Sequence, residues 1–432
     1  MTEMSVEPYR EIVFDKDGDG PAGQADRLAR SARGCTDLVV FAHGWNNSPS
    51  VATRFYSAFF APFPGLAGEG VRLGYAGVVW PSMMFSDEPV PDFATLAATV
   101  PGKAAVVARL AELVGEEPAD EAAFAEFGAL LRELTDTADT ADTGGQGLRG
   151  ADPEVPDFLL AEPLAMCARF AAAGDAEATA EATGEAGGAG APDADGAEGA
   201  AERGEGRPAE ERLLGGDRVK RLWKGAREAL RQATYYTMKR RAGVVGARGL
   251  GPLLGELART APGLRVHLAG HSFGARLVCH AVLGLPEGTR TVKSVTLLQG
   301  AFSHYAFATR LPHAPGRGGS LPDLQRRVDG PLVACHSRHD TALRVYYPLA
   351  SRLSRDDDAI LGQDDRRWWA VGYDGIQAVP GTAVRDLRAV LREGLPASGC
   401  VSVDTAEVVS EHSDVCRPEL ARVVARAGRF GR

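Results

Sequence analysis

The strongest indication of chemistry is a serine between two glycines, in the run Gly270-His-Ser272-Phe-Gly274. A strand-like run ends near Ala269, and a helical pattern with one apolar face begins immediately afterwards. Such an abrupt strand-to-helix turn strains the backbone at its centre and lifts that side chain above the sheet edge. The amino terminus of the helix also offers amide groups to a developing anion. The pattern predicts a nucleophilic Ser272; the alternative is a buried serine in a glycine-rich turn.

A nucleophilic serine needs a base and a group that orients the base. His412 follows the last strand-like run, in a loop that can return over the strand ends beside Ser272. Asp340 lies a few residues beyond the buried run Pro331–Cys335. We predict that His412 is the base and Asp340 the acid; the alternatives are a solvated loop histidine and a simple helix N-cap. Further candidates for the acid are Asp374 and Asp404.

A second turn could supply a donor for the oxyanion. The buried run Asp37-Leu-Val-Val-Phe-Ala ends in His43-Gly44-Trp45, and Gly44 allows the backbone to fold tightly against whatever lies above the sheet. The amide groups of Trp45 and Phe273 are therefore predicted to form an oxyanion hole. The alternative is a turn shaped only by the two asparagines that follow Trp45.

Strand-like and helical patterns alternate on both sides of a central segment. The strand-like runs are Glu11–Phe14, Asp37–Phe41, Val71–Trp80, Leu264–Leu268, Val292–Leu298, Pro331–Cys335 and Cys400–Val403. The helical patterns among them are Ser50–Phe60, Asp217–Arg241, Pro252–Thr260, Phe273–Leu285, Thr341–Leu353, Thr382–Glu393 and Pro418–Ala427. This alternation predicts an α/β fold with a mainly parallel, doubly wound sheet. Ligands of such sheets bind at the carboxyl ends of the strands.

The central segment has a different character. Residues 171–210 contain fifteen Ala, nine Gly and ten acidic residues, which predicts a disordered tract because little apolar surface can be buried. The helical patterns before it are Ala104–Val114, Ala119–Leu134 and Pro156–Ala172, the last with a restart at Pro163. We predict a helical insertion at 86–215, a possible lid, within one α/β core formed by 1–85 and 216–432.

Composition excludes several classes of protein. The 432 residues carry a formal charge of -9, and no basic patch suggests a nucleic-acid partner. The apolar runs are too short to span a bilayer, and the amino terminus lacks the pattern of a secretory signal. The six cysteines are scattered without a C-x-x-C pair, which favours reduced thiols and a cytoplasmic location.

No cofactor or metal is predicted. The glycine-rich run 243–251 follows a helix and lacks the order of a phosphate-binding loop. The pair His336 and His339 resembles part of a metal site, but no second cluster of ligands accompanies it.

Taken together, these motifs resemble the α/β-hydrolase superfamily, whose catalytic residues follow the chain order Ser, Asp or Glu, His. More narrowly, the run His43-Gly-Trp-Asn-Asn47 followed by Trp80-Pro-Ser82 resembles a group of bacterial α/β-hydrolases of unassigned substrate. The resemblance covers about 1–85 and 217–432. The long insertion and the segment 366–373, between acid and base, depart from the pattern.

The resemblance implies a serine esterase that uses Ser272, His412 and Asp340 on a small-molecule or lipid-like ester. The apolar faces of the insertion helices, around Phe124, Phe127, Phe158 and Phe170, could then cover an acyl chain. The alternative is a catalytically inactive scaffold that binds a partner through its acidic insertion.

Overall fold

The structure of the chain is a computed structural model that describes residues 4–45, 47–82, 93–135, 157–172, 216–340, 342–343 and 369–430. The described residues fall into two compact units. The first unit contains those up to 82 and those from 235 onward, and the second unit contains those from 93 to 234.

Within the described residues, eight strands form one sheet in the first unit. They are β1 (Tyr9–Val13), β2 (Asp37–Ala42), β3 (Leu73–Val79), β4 (Arg265–His271), β5 (Val292–Leu298), β6 (Pro331–His336), β7 (Ala383–Asp386) and β8 (Gly399–Asp404). Their order is β1-β3-β2-β4-β5-β6-β8-β7, and every pairing is parallel. The predicted α/β fold with a mainly parallel sheet is confirmed.

The helices lie between or after these strands. In the first unit they are α1 (Gln24–Ser31), α2 (Pro49–Phe60), α3 (Phe63–Leu66), α10 (Gly251–Thr260), α11 (Phe273–Leu283), α12 (Val371–Asp374), α13 (Leu387–Glu393) and α14 (Pro418–Gly428). In the second they are α4 (Phe93–Thr99), α5 (Ala104–Glu116), α6 (Glu121–Leu134), α7 (Asp157–Leu160) and α8 (163–172). The long helix α9 (Gly216–Val244) contributes to both units and continues into a π-helical turn (Val245–Leu250).

The central strands are buried on both faces, as their continuous apolar sequences require. Val39 and Phe41 of β2 point to one face, where they pack in an apolar cluster with side chains of α2 and α14. Helix α11 contacts β2, β4 and β5. None of the helices among the described residues combines the length and the apolar character needed to cross a bilayer.

The second unit has its own aromatic core. Phe124 and Phe127 of α6 pack against Trp223 of α9, with ring centroids 4.6 and 5.8 Å away, and Phe158 packs on Phe170 at 5.2 Å. All four phenylalanines are at most 3% exposed. They stabilise this unit, so the expectation that they would be free to cover an acyl chain is wrong.

The same packing explains a difference at the predicted domain boundary. The sequence predicts residues 216–234 in the second part of the α/β core, but they belong to the second unit. Trp223 anchors them there through the ring contacts with α6 and through its Nε1–H, which donates to the carbonyl oxygen of Pro118 at 3.0 Å.

Other sequence expectations changed in detail. The pattern Thr382–Glu393 predicts one helix, but β7 occupies its start and α13 begins only at Leu387, because the side chain of Asp386 caps it by accepting from Ala389 N at 2.7 Å. Ala171 and Ala172 end α8, so the predicted disordered tract starts too early, and 173–210 lies outside the described residues. The restart at Pro163 is confirmed. The predicted helix Thr341–Leu353 lies outside the described residues except for 342–343.

A buried polar cluster ties three strands together near their amino ends. His267 is fully buried, and its Nε2 lies 2.9 Å from the Asp37 carboxylate while its Nδ1 lies 3.0 Å from the Ser294 hydroxyl. Arg265 also contacts Asp37, at 3.0 Å. Burial acts to raise the pKa of Asp37, but hydrogen bonds from His267 and Thr36 outweigh it, so that the pKa is lowered. Burial lowers the pKa of His267, so its neutral ring donates to Asp37 and accepts from Ser294.

We predict that Asp37→Asn destabilises the fold by about 3 kcal/mol at pH 7, because it leaves a buried network without its anion. Since the folded pKa of Asp37 is lowered, this stabilisation is present above the unfolded value of about 3.9 and disappears as pH falls through the folded value. Urea unfolding of both proteins at pH 7 and pH 3 measures the difference. Asp329→Asn, in the solvent-exposed pair with Lys293, is the control and should cost less than about 1 kcal/mol. Equal costs for the two variants would contradict this interpretation.

Candidate active site

Ser272 occupies a strained turn between β4 and α11. Its backbone has φ 56° and ψ -119°, a conformation that a residue with a side chain adopts only when its surroundings impose it. Three hydrogen bonds impose it here. Ser272 N donates to Leu298 O at 3.0 Å, and the carbonyl oxygen of Ser272 accepts from Ala275 N at 3.1 Å and from Ala301 N at 3.3 Å.

The predicted motif glycines provide the space for this turn. A Cβ at Gly270 would clash with the carbonyl oxygen of Gly274, and one at Gly274 would clash with that of Ala42. A Cβ at Gly44 would lie 2.8 Å from Ser272 Cβ, closer than real Cβ contacts. Glycine is therefore required at Gly270 and Gly274 because backbone approaches backbone there, and at Gly44 because the side chain of Ser272 occupies the space that a Cβ would need.

Three loops bring Ser272, His412 and Asp340 together at the carboxyl ends of β4, β8 and β6. His412 Nε2 lies 2.9 Å from Ser272 Oγ, and His412 Nδ1 lies 2.7 Å from Asp340 Oδ2. Because a carboxylate only accepts, Nδ1 carries the proton and Nε2 accepts from the serine hydroxyl. The arrangement can transfer a proton from the hydroxyl to the imidazole.

Asp340 is held by its own loop as well as by His412. Its side chain is 0% exposed, and Oδ1 accepts from Leu343 N at 3.0 Å, which is the N-cap type of contact that the sequence offered as an alternative role. Ser337 Oγ donates to Val409 O at 2.7 Å and so joins the loop of Asp340 to the loop of His412. Nothing in the sequence distinguishes Ser337, because no local pattern connects it with residue 409.

The amide groups predicted to bind an oxyanion lie beside Ser272. Phe273 is the first residue of α11, and Trp45 follows the glycine that abuts Ser272. Within the described part of the chain, neither amide donates a hydrogen bond. Two free N–H groups next to a serine hydroxyl are what an oxyanion hole requires.

Aromatic rings pack together at the two residues that carry these amides. Tyr235 of α9 packs against Phe273 with centroids 4.8 Å apart and against Trp45 at 5.8 Å. From the sequence, core packing beside a solvated basic face is the simpler interpretation of Tyr235 and Tyr236, and a pocket-lining tyrosine is the alternative.

The two tryptophan motifs of the sequence form one structure. Trp80 Nε1 donates to His43 O at 3.1 Å, and its ring stacks on the His43 imidazole with centroids 5.7 Å apart. Ser82 Oγ accepts from Asn47 N at 3.2 Å and donates to Asn47 O at 3.0 Å. Burial lowers the pKa of His43 to about 4, so this ring is neutral at pH 7. The segment Trp80-Pro-Ser82 thus fixes the turn that carries Trp45.

The other candidate acids take different partners. Asp374 pairs with Nδ1 of the buried His304, at 2.9 Å to each carboxylate oxygen, and Asp404 Oδ1 accepts from Ala406 N at 2.9 Å. Neither side chain hydrogen bonds to His412. Among the described residues, no group of three His, Cys, Asp or Glu side chains is arranged to hold a metal ion.

The glycine-rich run serves helix packing. A Cβ at Gly246 would clash with the carbonyl oxygen of Leu277 in α11, and one at Gly251 would lie 2.6 Å from that of Ala281. These glycines let the π-helical turn and the start of α10 approach the backbone of α11, the helix that begins directly after Ser272.

A cleft of about 1040 Å³ lies at the opposite edge of the sheet. Its lining includes Leu264 and Pro331, which lie at the amino ends of β4 and β6, and contains none of Ser272, His412 and Asp340. Its basic residues are partly neutralised, since Lys293 pairs with Asp329 at 2.6 Å. The candidate site is therefore assigned from the hydrogen-bonded arrangement of Ser272, His412 and Asp340, and not from the position of this cleft.

Comparisons with protein-family models, with curated proteins and with solved structures found no match to this chain.

We predict that Gly274→Ala destabilises the first unit by about 1–3 kcal/mol, because the added methyl group meets a backbone oxygen that cannot move. Gly263→Ala is the matched control, since a Cβ at Gly263 meets nothing within 4 Å. Urea unfolding followed by tryptophan fluorescence compares the two variants. Similar urea midpoints for Gly274→Ala and Gly263→Ala would mean that α11 does not pack tightly against the end of β2.

Proposed function

We propose that this chain is a serine hydrolase of the α/β-hydrolase fold that cleaves carboxylic esters through an acyl-enzyme. The observation that carries the proposal is the unbroken chain of hydrogen bonds from Ser272 Oγ through His412 to Asp340. The three residues also follow the chain order of that superfamily, each after a different parallel strand.

The geometry supports a two-step reaction. Ser272 Oγ attacks the ester carbonyl while His412 Nε2 takes the hydroxyl proton, and Asp340 stabilises the imidazolium that forms. The imidazolium then gives this proton to the departing alkoxide, which leaves as the alcohol while the acyl group remains on Ser272. In the second step His412 takes a proton from a water molecule, whose oxygen attacks the acyl carbon. The bond to Ser272 Oγ then breaks, His412 returns the proton to that oxygen, and the acid is released.

The amides of Trp45 and Phe273 are proposed to receive the negative charge of the tetrahedral intermediate. Each such donor contributes about 3–4 kcal/mol to stabilisation of the transition state. The tight turns at Gly44 and Gly274 hold both amides in place before substrate arrives, so little reorganisation accompanies the reaction.

An ester is the preferred substrate because members of the superfamily that the chain resembles often cleave esters, ahead of thioesters and amides. The rings of Trp45, Tyr235 and Phe273, two of which belong to the residues that carry the proposed donors, pack against one another. They favour a small-molecule or lipid-like ester with an apolar group next to the scissile carbonyl.

We predict that a fluorophosphonate probe labels the wild-type protein and that Ser272→Ala abolishes both labelling and ester hydrolysis. Loss of the nucleophile costs about 10⁶ in kcat in subtilisin, so a true nucleophile leaves no ambiguity. Labelled bands on a denaturing gel and turnover of nitrophenyl esters are the measurements.

Ser294→Ala is the matched control, because Ser294 is also bonded to a histidine that contacts an aspartate but is fully buried. It should retain labelling. A folded wild-type protein that is neither labelled nor active on a broad ester panel would instead favour a scaffold that binds a partner through the acidic tract.

We predict that Asp340→Asn lowers kcat by about 10⁴, as the equivalent change does in serine proteases, because the imidazole then adopts the wrong tautomer. Asp374→Asn is its control, since Asp374 orients His304 and not His412. Steady-state kinetics with one ester substrate distinguishes the two. A comparable loss in both variants would show that the acid has been misassigned.

A further inference from the structure

The residue before Ser272 makes an unusual contact. His271 is the last residue of β4 and only 6% exposed, and its Nε2 lies 2.8 Å from the backbone carbonyl oxygen of His412. Because a carbonyl oxygen only accepts, His271 Nε2 carries the proton and donates it. Within the described residues, this is the one hydrogen bond that the backbone of His412 makes.

Packing alone does not explain why a histidine occupies position 271. Its ring lies 5.7 Å from the ring of Phe55 and 4.9 Å from that of His412, centroid to centroid. Its Nδ1 is buried and has no hydrogen-bond partner among the described residues. A buried unpaired polar atom is costly, and an apolar residue of similar size would avoid this cost. The donated bond to His412 is the favourable contact that remains.

His271 also lies against the turn that carries Trp45. A Cβ at Gly44 would lie 3.1 Å from His271 Nδ1, so the imidazole fills the space between that turn and the loop of His412. The ring therefore contacts two of the loops that meet around Ser272.

The charge state of His271 suits a purely positioning role. Burial lowers its pKa to about 3, and the neighbouring His412 acts in the same direction. A neutral ring donates to the His412 carbonyl without repelling the positive charge that the proposed mechanism places on the His412 imidazole.

We propose that His271 is a positioning residue: its Nε2–H anchors the backbone of His412 and so fixes the imidazole between Ser272 and Asp340. The inference rests on the proposed function, because it assigns the loop of His412 to a base. In this proposal His271 helps to orient the His412 imidazole through its hydrogen bond to the His412 backbone, and it does not contact the substrate.

The test compares His271→Leu, which removes the donor, with His271→Gln, whose side-chain amide retains an N–H at a similar distance from the backbone. We expect His271→Leu to lower kcat, and the rate of fluorophosphonate labelling, by about 10- to 100-fold with KM unchanged, because small displacements of catalytic groups have effects of this size. His271→Gln should restore most of the rate. The downfield proton resonance of His412 Nδ1–H should be present in wild type and His271→Gln and lost in His271→Leu.

His267→Leu is the matched control, since His267 is equally buried on the same strand but belongs to the Asp37 cluster. It should lose stability in urea yet keep its labelling rate while folded. His271→Leu should retain its stability, because the unpaired Nδ1 disappears with the ring.

The outcomes separate the two proposals. A wild-type rate and an unchanged downfield resonance in His271→Leu would overturn the positioning role, as would an equal loss in His271→Leu and His271→Gln. An unlabelled wild-type protein would overturn the hydrolase function, and the resonance would then decide whether His271 fixes the imidazole.

Discussion

The backbone of Ser272 can hold its strained conformation only because three chain segments approach it without intervening side chains. Gly274 lacks the Cβ that would separate α11 from the end of β2, and Gly44 lacks the Cβ that would meet Ser272 itself. Leu298 and Ala301 form hydrogen bonds with the backbone of Ser272 from the end of β5. Strain of this kind costs about 1–3 kcal/mol and persists only where the surrounding structure imposes it. These close contacts determine the positions of the Ser272 hydroxyl and of the amides of Phe273 and Trp45.

The parallel sheet then determines which other residues can reach Ser272. Strands β4, β6 and β8 point the same way, so the loops after them meet at one edge. The bond from Ser337 to Val409 closes the loops of Asp340 and His412 onto each other, which reduces the freedom of both side chains. A buried carboxylate is unfavourable by itself, and Asp340 is stabilised there by the hydrogen bonds from His412 and from the amide of Leu343.

The sequence allowed the sheet and the convergence of these loops to be predicted, because buried parallel strands have continuous apolar sequences and glycines mark the tight turns after β2 and β4. It did not reveal β7, since this short edge strand leaves Val384 68% exposed and merges with the start of α13. It did not assign roles to His271 or Ser337, because the contacts of each are with residues far apart in the chain, and it offered a pocket-lining Tyr235 only as the alternative to core packing. The burial of Phe124 and its neighbours was missed for the same reason: an apolar helix face does not specify what covers it.

The chain contains a second hydrogen-bonded set of serine, histidine and aspartate. Comparison of the two sets shows that these residue types alone do not determine which serine can act as a nucleophile. Ser294, His267 and Asp37 are joined at 3.0 and 2.9 Å, distances close to those of Ser272, His412 and Asp340. All three are at most 1% exposed, Phe430 lies over the imidazole, and the serine binds Nδ1 and the aspartate Nε2. The strained turn and the amides of Trp45 and Phe273 lie instead at Ser272, after the other end of β4. Two sets of the same side chains thus differ in access, in orientation of the ring and in neighbouring donors, and these differences favour Ser272 as the nucleophile while Ser294 stabilises the sheet.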